Sequence, residues 1–525
     1  MPKINLFTSS GKDKKDSISA GELVNLLPRI ASDKAGGGIA FDHFPGTSSI
    51  EVDTADANDE YKDVYGISSY SESFADRLFI LFYDDSAGTY SIDELYYNSG
   101  TGAVAKITVG TLTSASGNFS NFTHDKSAHG GKTIIADRGA NRLWVITMDN
   151  DPALDAVALY TMPTGWALQT IDYQDGFFIG NIKDTGANDE QRKFVSSDFG
   201  ASTFTSTNFG LITSSSGNLI AIESDKREAW LYCDDHIEAW YNAGGEGFAF
   251  LRNPSAYIDI GVFSRDTVQR IKGVSIFLGS TTRGGTGIYR IDGYTPVEIT
   301  PPSLKEPLSS GDYADDTRFA VSRSIKMADY NLYIINFCNT ALGTWCYDLE
   351  SGFWSKVKSD NLEWEQYIKG SAYFQVRINA SQIVSFYVVI PYSSFTLTDN
   401  GVKNLTALHG YDFDLHHLLN RSTTVASADM TRTAVSDHIY GDENKNLIHR
   451  RLVLEFVPSS ADIGLSWSDD DGATYTTPET ISISTGIIDR RALGSSRDRI
   501  YKITSTSNHD TSLINAWIDA EELAH

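Results

Sequence analysis

Cysteine is scarce in this chain: Cys233, Cys338 and Cys346 are the only three in 525 residues. Three thiols cannot frame a disulfide scaffold, and none stands at a Cys–His spacing that would hold zinc. They read as small buried hydrophobes, in keeping with folding in a reducing cytoplasm. Basic residues are in deficit too. Against 68 Asp and Glu stand 43 Lys and Arg, a net charge of −25. Such a surface repels phosphate, which argues against tight nucleic-acid binding by counterion release. It suits a soluble acidic protein, or a wall that DNA slides past without sticking. No apolar run approaches membrane-spanning length. The opening "MPKINLFTSSGKDKK" lacks the apolar stretch of a secretory signal. Helical heptads, a phosphate-binding loop, a dinucleotide fingerprint and a G-x-S-x-G elbow are missing as well.

What the chain does have is aromatic and turn-rich sequence. Its 26 Tyr, 26 Phe and 9 Trp stand among many short alternating runs, the composition of strands and turns. Seven such runs recur, centred near Leu95, Leu143, Phe194, Ile237, Ile288, Trp345 and Phe386. Successive anchors lie 41 to 57 residues apart. One four-stranded propeller blade takes roughly 40–50 residues, and such a sheet buries both faces only by packing against neighbours around an axis. Turn residues fall between runs at Asn98–Gly100, Asp292–Gly293 and Ser351–Gly352. The class is therefore mainly β, with a six- or seven-bladed β-propeller-like domain over residues 61–394. Residues 1–60 form an extended segment that closes or contacts the ring. Within it, "ISAGELVNLLPRIA" suggests a short helix stopped by Pro28. From 395 to 525 the runs "HRRLVLEFVP", "DIGLSWSDDDGATY", "ETISIST" and "DRIYKITSTS" read as a C-terminal antiparallel β-sandwich. The polar stretch "LLNRSTTVASADMTRTAVSD" before them reads as a connecting loop.

Four stretches carry candidate chemistry. In "YCDDHIEAWYNAGG", two strands meet at Asp234–Asp235, and alternation puts His236, Glu238 and Trp240 on one face, with Tyr241 opposite. A carboxylate pair including Glu238 would suit glycoside hydrolysis; a polar strand face is the plainer reading. "YDFDLHH" offers a candidate metal cluster, since Asp412, Asp414 and His416 would share one face of a strand; a solvated polar strand or loop is the alternative. "SDDDGATY" fits the Asp-box pattern S-x-D-x-G-x-T-aromatic. There Ser468 and Asp470 bond backbone amides, Gly472 supplies a positive φ and Tyr475 packs beneath the loop. That motif is a turn and carries no activity; it also lacks the leading acid and distant Glu of a calcium loop. "FLRNP" is only superficially like the Phe-Arg-Ile-Pro motif of sialidases, whose sites cluster arginines around a carboxylate. Paired carboxylates and clustered arginines in one pocket would favour a sugar-active propeller. Catalytic residues, cofactors and a resident metal are not otherwise called for.

The stretch from Asn218 to Thr300 resembles the central signature of the packaged-DNA stabilisation proteins of short-tailed phages, which form the tail hub or nozzle. Its matching elements are Glu238–Asn242 with Trp240 and Tyr241, then Phe250–Arg252 and Phe277–Gly279. Tyr289–Pro296 follows, with Gly293 and Tyr294 at its turn. "LVNLLP" (Leu23 to Pro28) followed by "FPG" is similar to that family's opening. "LSWSDDDGATY" followed by "RRALGSSRDRIYKI" is similar to its closing domain. Residues 100–165 and 395–445 depart from the pattern, so partner-facing loops there do not carry over. The resemblance implies a virion tail protein without enzyme activity, assembled in the host cytoplasm. It implies a homo-oligomeric, hexameric ring below the portal and its adaptor, seating a tail needle, spikes or fibres. DNA would pass through without specific binding, and no membrane is involved. Two other readings stand beside it: a virion-associated sugar-binding or sialidase-like propeller, and a non-viral propeller scaffold.

Overall fold

In a computed structural model, the described residues are 3–7, 22–30, 39–43, 48–50, 60–67, 76–84, 86–98, 103–125, 131–184, 190–245, 247–281, 285–309, 320–327, 330–337, 342–357, 367–379, 382–392, 408–412, 424–425, 428–429, 431–441, 445–506 and 511–523. They are mainly β-strand, as the composition predicts. Pro302–Ser309 is an α-helix.

Seven antiparallel sheets follow one another along the chain, each built on four strands in simple up-and-down order. Blade 1 spans 60–112, blade 2 123–161, blade 3 166–211 and blade 4 219–258; blade 5 spans 261–298 and blade 6 321–357. Blade 7 pairs Tyr367–Asn379, Gln382–Tyr392 and Leu408–Asp412, and takes its fourth strand, Ser48–Ile50, from before blade 1. Strands from both sides of residues 60 and 394 thus share one sheet. The first strand of blade 7 packs against the first strands of blades 1 and 6, which closes the ring. Six of the seven sequence anchors lie on the third strand of a blade; Phe386 lies on the second.

Blades are held together by apolar layers and by buried polar ties. Leu143, Val145, Leu168, Phe178 and Val195 share one such layer between blades 2 and 3. Asn181, fully buried in blade 3, donates to the carbonyls of Leu219 and Ile220 in blade 4 at 3.0 and 3.1 Å. Arg77 of blade 1 holds Glu94 with two 2.7 Å bonds and reaches Asp155 at the edge of blade 2. A buried charge is tolerable only when paired in this way. Cys233 and Cys346 are buried free thiols, and burial pushes both well above the usual thiol range; Cys338 lies outside the described residues.

The C-terminal strands form a sandwich. One sheet orders Leu26–Ile30, Ile39–His43, Leu513–Glu522, Leu447–Phe456 and Ile487–Arg491; the facing one runs Arg432–Val435, Asp498–Ser505, Asp462–Ser468 and Glu479–Ser482. Phe41, Leu452, Leu454, Leu465, Tyr501 and Ile518 fill the space between. The second sheet does not stop there. Glu22–Val24 pairs antiparallel with Arg432–Val435 and parallel with the outer strand of blade 6, through Val24 and Lys356. One continuous sheet therefore joins sandwich to propeller, and Tyr330 Oη of blade 6 donates to Asp42 Oδ2 at 2.6 Å beside that seam.

Two local expectations are corrected here. The region of the expected helix holds strands Glu22–Val24 and Leu26–Ile30, split by Asn25 at φ 56°. Leu23, Val24, Leu26 and Leu27 are buried by partners distant in the chain, so tertiary burial overrides helical propensity. The polar stretch read as a loop contains the strand Arg432–Val435, covered on both edges by the pairings just described.

Candidate functional site

The hairpin of blade 4 concentrates ionisable groups. Glu228–Cys233 and Ile237–Asn242 pair antiparallel, and Cys233 N donates to His236 O at 2.8 Å across the turn. Alternation turns His236, Glu238 and Trp240 the same way. Trp240 Nε1 donates to Glu238 Oε1 at 2.8 Å, Ser214 Oγ donates to Glu238 Oε2 at 2.7 Å, and Arg252 Nε lies 2.9 Å from Oε2. His236 has no exposed surface; Tyr257 stacks over it at 5.1 Å. Its Nδ1 meets Asp235 Oδ1 at 2.5 Å and its Nε2 meets Ser214 Oγ at 2.9 Å.

Ser214, His236 and Asp235 thus stand in the order of a hydrolase triad, but the protons are wrong for one. The single proton of Ser214 goes to Glu238, so its oxygen must accept from His236 Nε2–H, while Nδ1–H faces Asp235. Burial opposes the charge on His236, yet its bonds to Glu238 and Asp235 prevail and raise its pKa. Burial likewise opposes the charge on Glu238, and His236, Trp240 and Ser214 together hold it below its ordinary value. An imidazolium has no lone pair with which to take a serine proton. The cluster is an internal clamp.

The remaining resemblance residues are packing elements. Tyr289 stacks on Phe277 at 6.3 Å within the layer between blades 4 and 5. Gly293 takes φ 64° in the turn, where a side chain would be strained, and beside it Tyr294 reaches back to blade 4. Its ring stacks on Trp230 at 5.4 Å and its hydroxyl donates to Glu228 at 2.8 Å. Tyr241 points outward and is exposed.

In the sandwich, Ser468 Oγ donates to Asp470 Oδ1 at 2.7 Å and accepts from Gly472 N at 2.9 Å. Thr474 donates to Asp470 from both N and Oγ1, at 2.8 and 2.6 Å, and Thr474 and Ser468 hold that carboxyl down to about 2. Asp471 and Gly472 carry φ 61° and 75°, and Lys502 lies over the half-buried Tyr475 ring at 5.0 Å. The flanking acids are engaged as well: Asp469 pairs with Arg499 and Asp471 with His438. For the candidate metal cluster, Asp412 ends the third strand of blade 7, while Asp414 and His416 lie outside the described residues. Among the described residues no group of three His, Cys, Asp or Glu side chains could hold a metal.

Sequence reasoning missed an axial cavity of about 250 Å³, surrounded by the inner strands of the blades. At one end Arg138 donates to Asp266 at 2.7 and 3.3 Å, Arg265 Nε lies 3.5 Å from the same carboxylate, and Arg323 Nη2 lies 3.6 Å from Asp63. Burial would raise the pKa of Asp266, but the Arg138 and Arg265 guanidiniums outweigh it and hold the carboxyl well below its usual range. Burial and the charge of Arg138 together lower the pKa of Arg265. At the other end lie Asp172 and Glu223. Burial pushes Asp172 up to about 6 despite bonds from the Ser224 and Tyr173 amides. It pushes Glu223 up to about 7, with Arg270 pulling it back and Asp172 adding to the rise. The available signal was an acidic residue following an apolar one within a first strand, as in "TIDYQ" and "AIESD". Arginines and carboxylates therefore do share one pocket, as a sugar-active site would require; in it Asp266 already engages Arg138 and the Nε of Arg265, and Asp63 faces Arg323.

Fold and sites define a β-propeller protein whose hairpin and turn charges serve internal structure. The family model described as "Bacteriophage P22 Gp10, beta-propeller" matches residues 93–379, more than half of the chain, and the chain belongs to that family. It is a non-catalytic structural phage family. No curated protein matches. Among solved structures, the S. cerevisiae core factor is 10% identical over 73% of this chain and 62% of its own, with a TM-score of 0.38. A Mycobacterium tuberculosis puromycin-hydrolyzing peptidase is 9% identical over 75% and 61%, at 0.35. An exo-β-1,3-galactanase from Phanerochaete chrysosporium is 10% identical over 94% and 99%, at 0.25. The chain spans about three fifths of the length of the first two, and at these scores none of the three bears on its activity.

Proposed function

We propose that this chain is the tail hub, or nozzle, of a short-tailed phage. In this reading it forms a hexameric ring below the portal and adaptor, extends and seals the DNA channel, and retains packaged DNA. It also seats the tail needle, spikes or fibres. The observation that carries the reading is family membership over residues 93–379. Two physical features support it. The sheet shared by sandwich and blade 6 makes the two parts one stiff body, as a ring subunit bearing internal pressure requires. A net charge of −25 leaves little for phosphate to grip, so DNA passes without specific binding. We place the acidic residues towards the channel; a lumen lined mainly by Lys and Arg would defeat that part of the reading.

The test is the copy number of the chain in purified particles, by quantitative mass spectrometry against the capsid protein. About six copies per particle is the expected result for one cyclic ring. A larger multiple of three would assign the chain to spikes or fibres instead, and absence from particles would leave a non-virion scaffold.

A further inference from the structure

The axial cavity is a polar space graded from basic to acidic along the propeller axis. Arg265 marks the basic end, and its Nη1 donates to Gln169 Oε1 at 2.7 Å. Gln169 precedes Asp172 by three residues on one strand, so the acidic end lies roughly 10 Å further along the axis. Each end keeps one polar atom open. Among the described residues Arg265 Nη2 has no acceptor, and Glu223 accepts at Oε2 only, from Tyr232 Oη and Ser275 Oγ at 3.1 Å each, leaving Oε1 open. Arg265 and Asp266 are each 32% exposed, so the basic end is the mouth. In the wall, Tyr65 and Phe122 stack at 5.5 Å and present an apolar surface between the polar ends.

This pattern selects among small ligands. A divalent cation would meet Arg138, Arg265 and Arg323 on its way in. Inorganic phosphate would satisfy the mouth and leave Glu223 Oε1 bare. An α-amino acid with an uncharged side chain carries both its charges on groups attached to one carbon and cannot span the separation. A monosaccharide acid places its carboxylate at one end and several hydroxyl donors at the other, with C–H faces between for an aromatic wall. The volume, about 250 Å³, matches about eight waters of liquid, enough for one such ring. We propose that the axial cavity binds a small acidic sugar, its carboxylate on Arg265 and a hydroxyl on Glu223 Oε1.

The site stands apart from the hub assignment, since it needs only the folded propeller. Isothermal titration of the full chain with glucuronate and with N-acetylneuraminate tests it. At least one should bind with a Kd of about 1 mM or tighter, while glucose should not. Arg265→Ala should weaken that binding by about tenfold or more. Glu223→Gln, nearly isosteric and so less disturbing to folding, should weaken it by about threefold or more; it decides the matter if Arg265→Ala does not fold. Four results would overturn the proposal: no heat from either acid at about 10 mM, equal binding of glucose, inorganic phosphate binding as tightly as the sugar acids, or unchanged affinity in the Glu223→Gln chain.

Discussion

Glu223 and Glu238 sit two strands apart in blade 4, the first largely and the second fully buried, and their pKa values move in opposite directions. Glu238 accepts from Trp240 and Ser214 and lies against Arg252 and the His236 imidazolium, so its charge is compensated on every side. Glu223 accepts two hydroxyls at one oxygen, lies 4.0 Å from Arg270, and faces a cavity with the other. Burial penalises both carboxylates; what differs is how much of the lost hydration the protein replaces. A saturated carboxylate is part of the scaffold. One left short of donors is where a donor from outside can be accommodated.

The same substitution at both positions should therefore have opposite signs. Glu238→Gln removes the negative charge that compensates Arg252 and His236, and turns an amide donor towards groups that already donate. His236 keeps Asp235 and Arg252 is partly exposed, so the loss should be about 1–3 kcal/mol. A lower midpoint in urea, followed by tryptophan fluorescence from blade 4, would show it. A midpoint unchanged from the parent chain would mean that the clamp contributes nothing to stability, and the contrast with Glu223 would collapse.

At Glu223 the expectation reverses and depends on pH. Its folded pKa of about 7 stands above the ordinary glutamate value, so between about pH 4.5 and 7 the folded chain binds more protons than the unfolded one. Stability contributed by this group is full below that window and is lost as pH rises through it. Glu223→Gln keeps the shape without the charge. It should raise stability at pH 8 by about 1–3 kcal/mol and do little at pH 4. Melting temperature against pH, parent beside variant, reads this directly: the two curves should meet in acid and separate towards neutrality. Curves that separate in acid would mean the carboxylate is compensated after all.

What could be read in the sequence, and what could not, follows from how the fold is specified. The third strand of a blade is covered on both faces by neighbouring blades, which gives runs such as that around Leu143, Phe194, Ile237 and Ile288, all fully buried. Their spacing made the propeller legible. The Asp-box loop was legible because its bonds run between residues at most four apart. The axial cavity was not, since each contributing blade supplies at most four of its residues and ring closure alone brings Asp63, Asp172, Glu223, Asp266 and Arg323 together. The N-terminal strands were hidden for the same reason: Val24 pairs with Lys356 and Glu22 with Val435. Local propensity carries no record of such partners, and it misread the stretch around Pro28 as helix.

Asp470 separates the two variables that Glu238 combines. It is as well saturated, by Ser468 and by the amide and hydroxyl of Thr474, but it is fully exposed. If saturation by itself made a carboxylate structurally important, Asp470→Asn should cost as much as Glu238→Gln. If the cost comes from stranding buried partners, the loss should be small. Water can serve the freed Thr474 hydroxyl, and the asparagine oxygen can still accept from Ser468 Oγ and Thr474 N. We expect the second outcome, the smallest effect of the three. Its pH signature is also opposite to that of Glu223. A pKa held down to about 2 contributes stability above the ordinary aspartate value, and that contribution is lost as pH falls towards 2. Acid unfolding followed by circular dichroism should thus show parent and Asp470→Asn chains differing slightly at pH 5 and converging below pH 2. A gap at pH 5 as wide as that produced by Glu238→Gln would show that donor saturation, and not burial, sets the importance of both carboxylates.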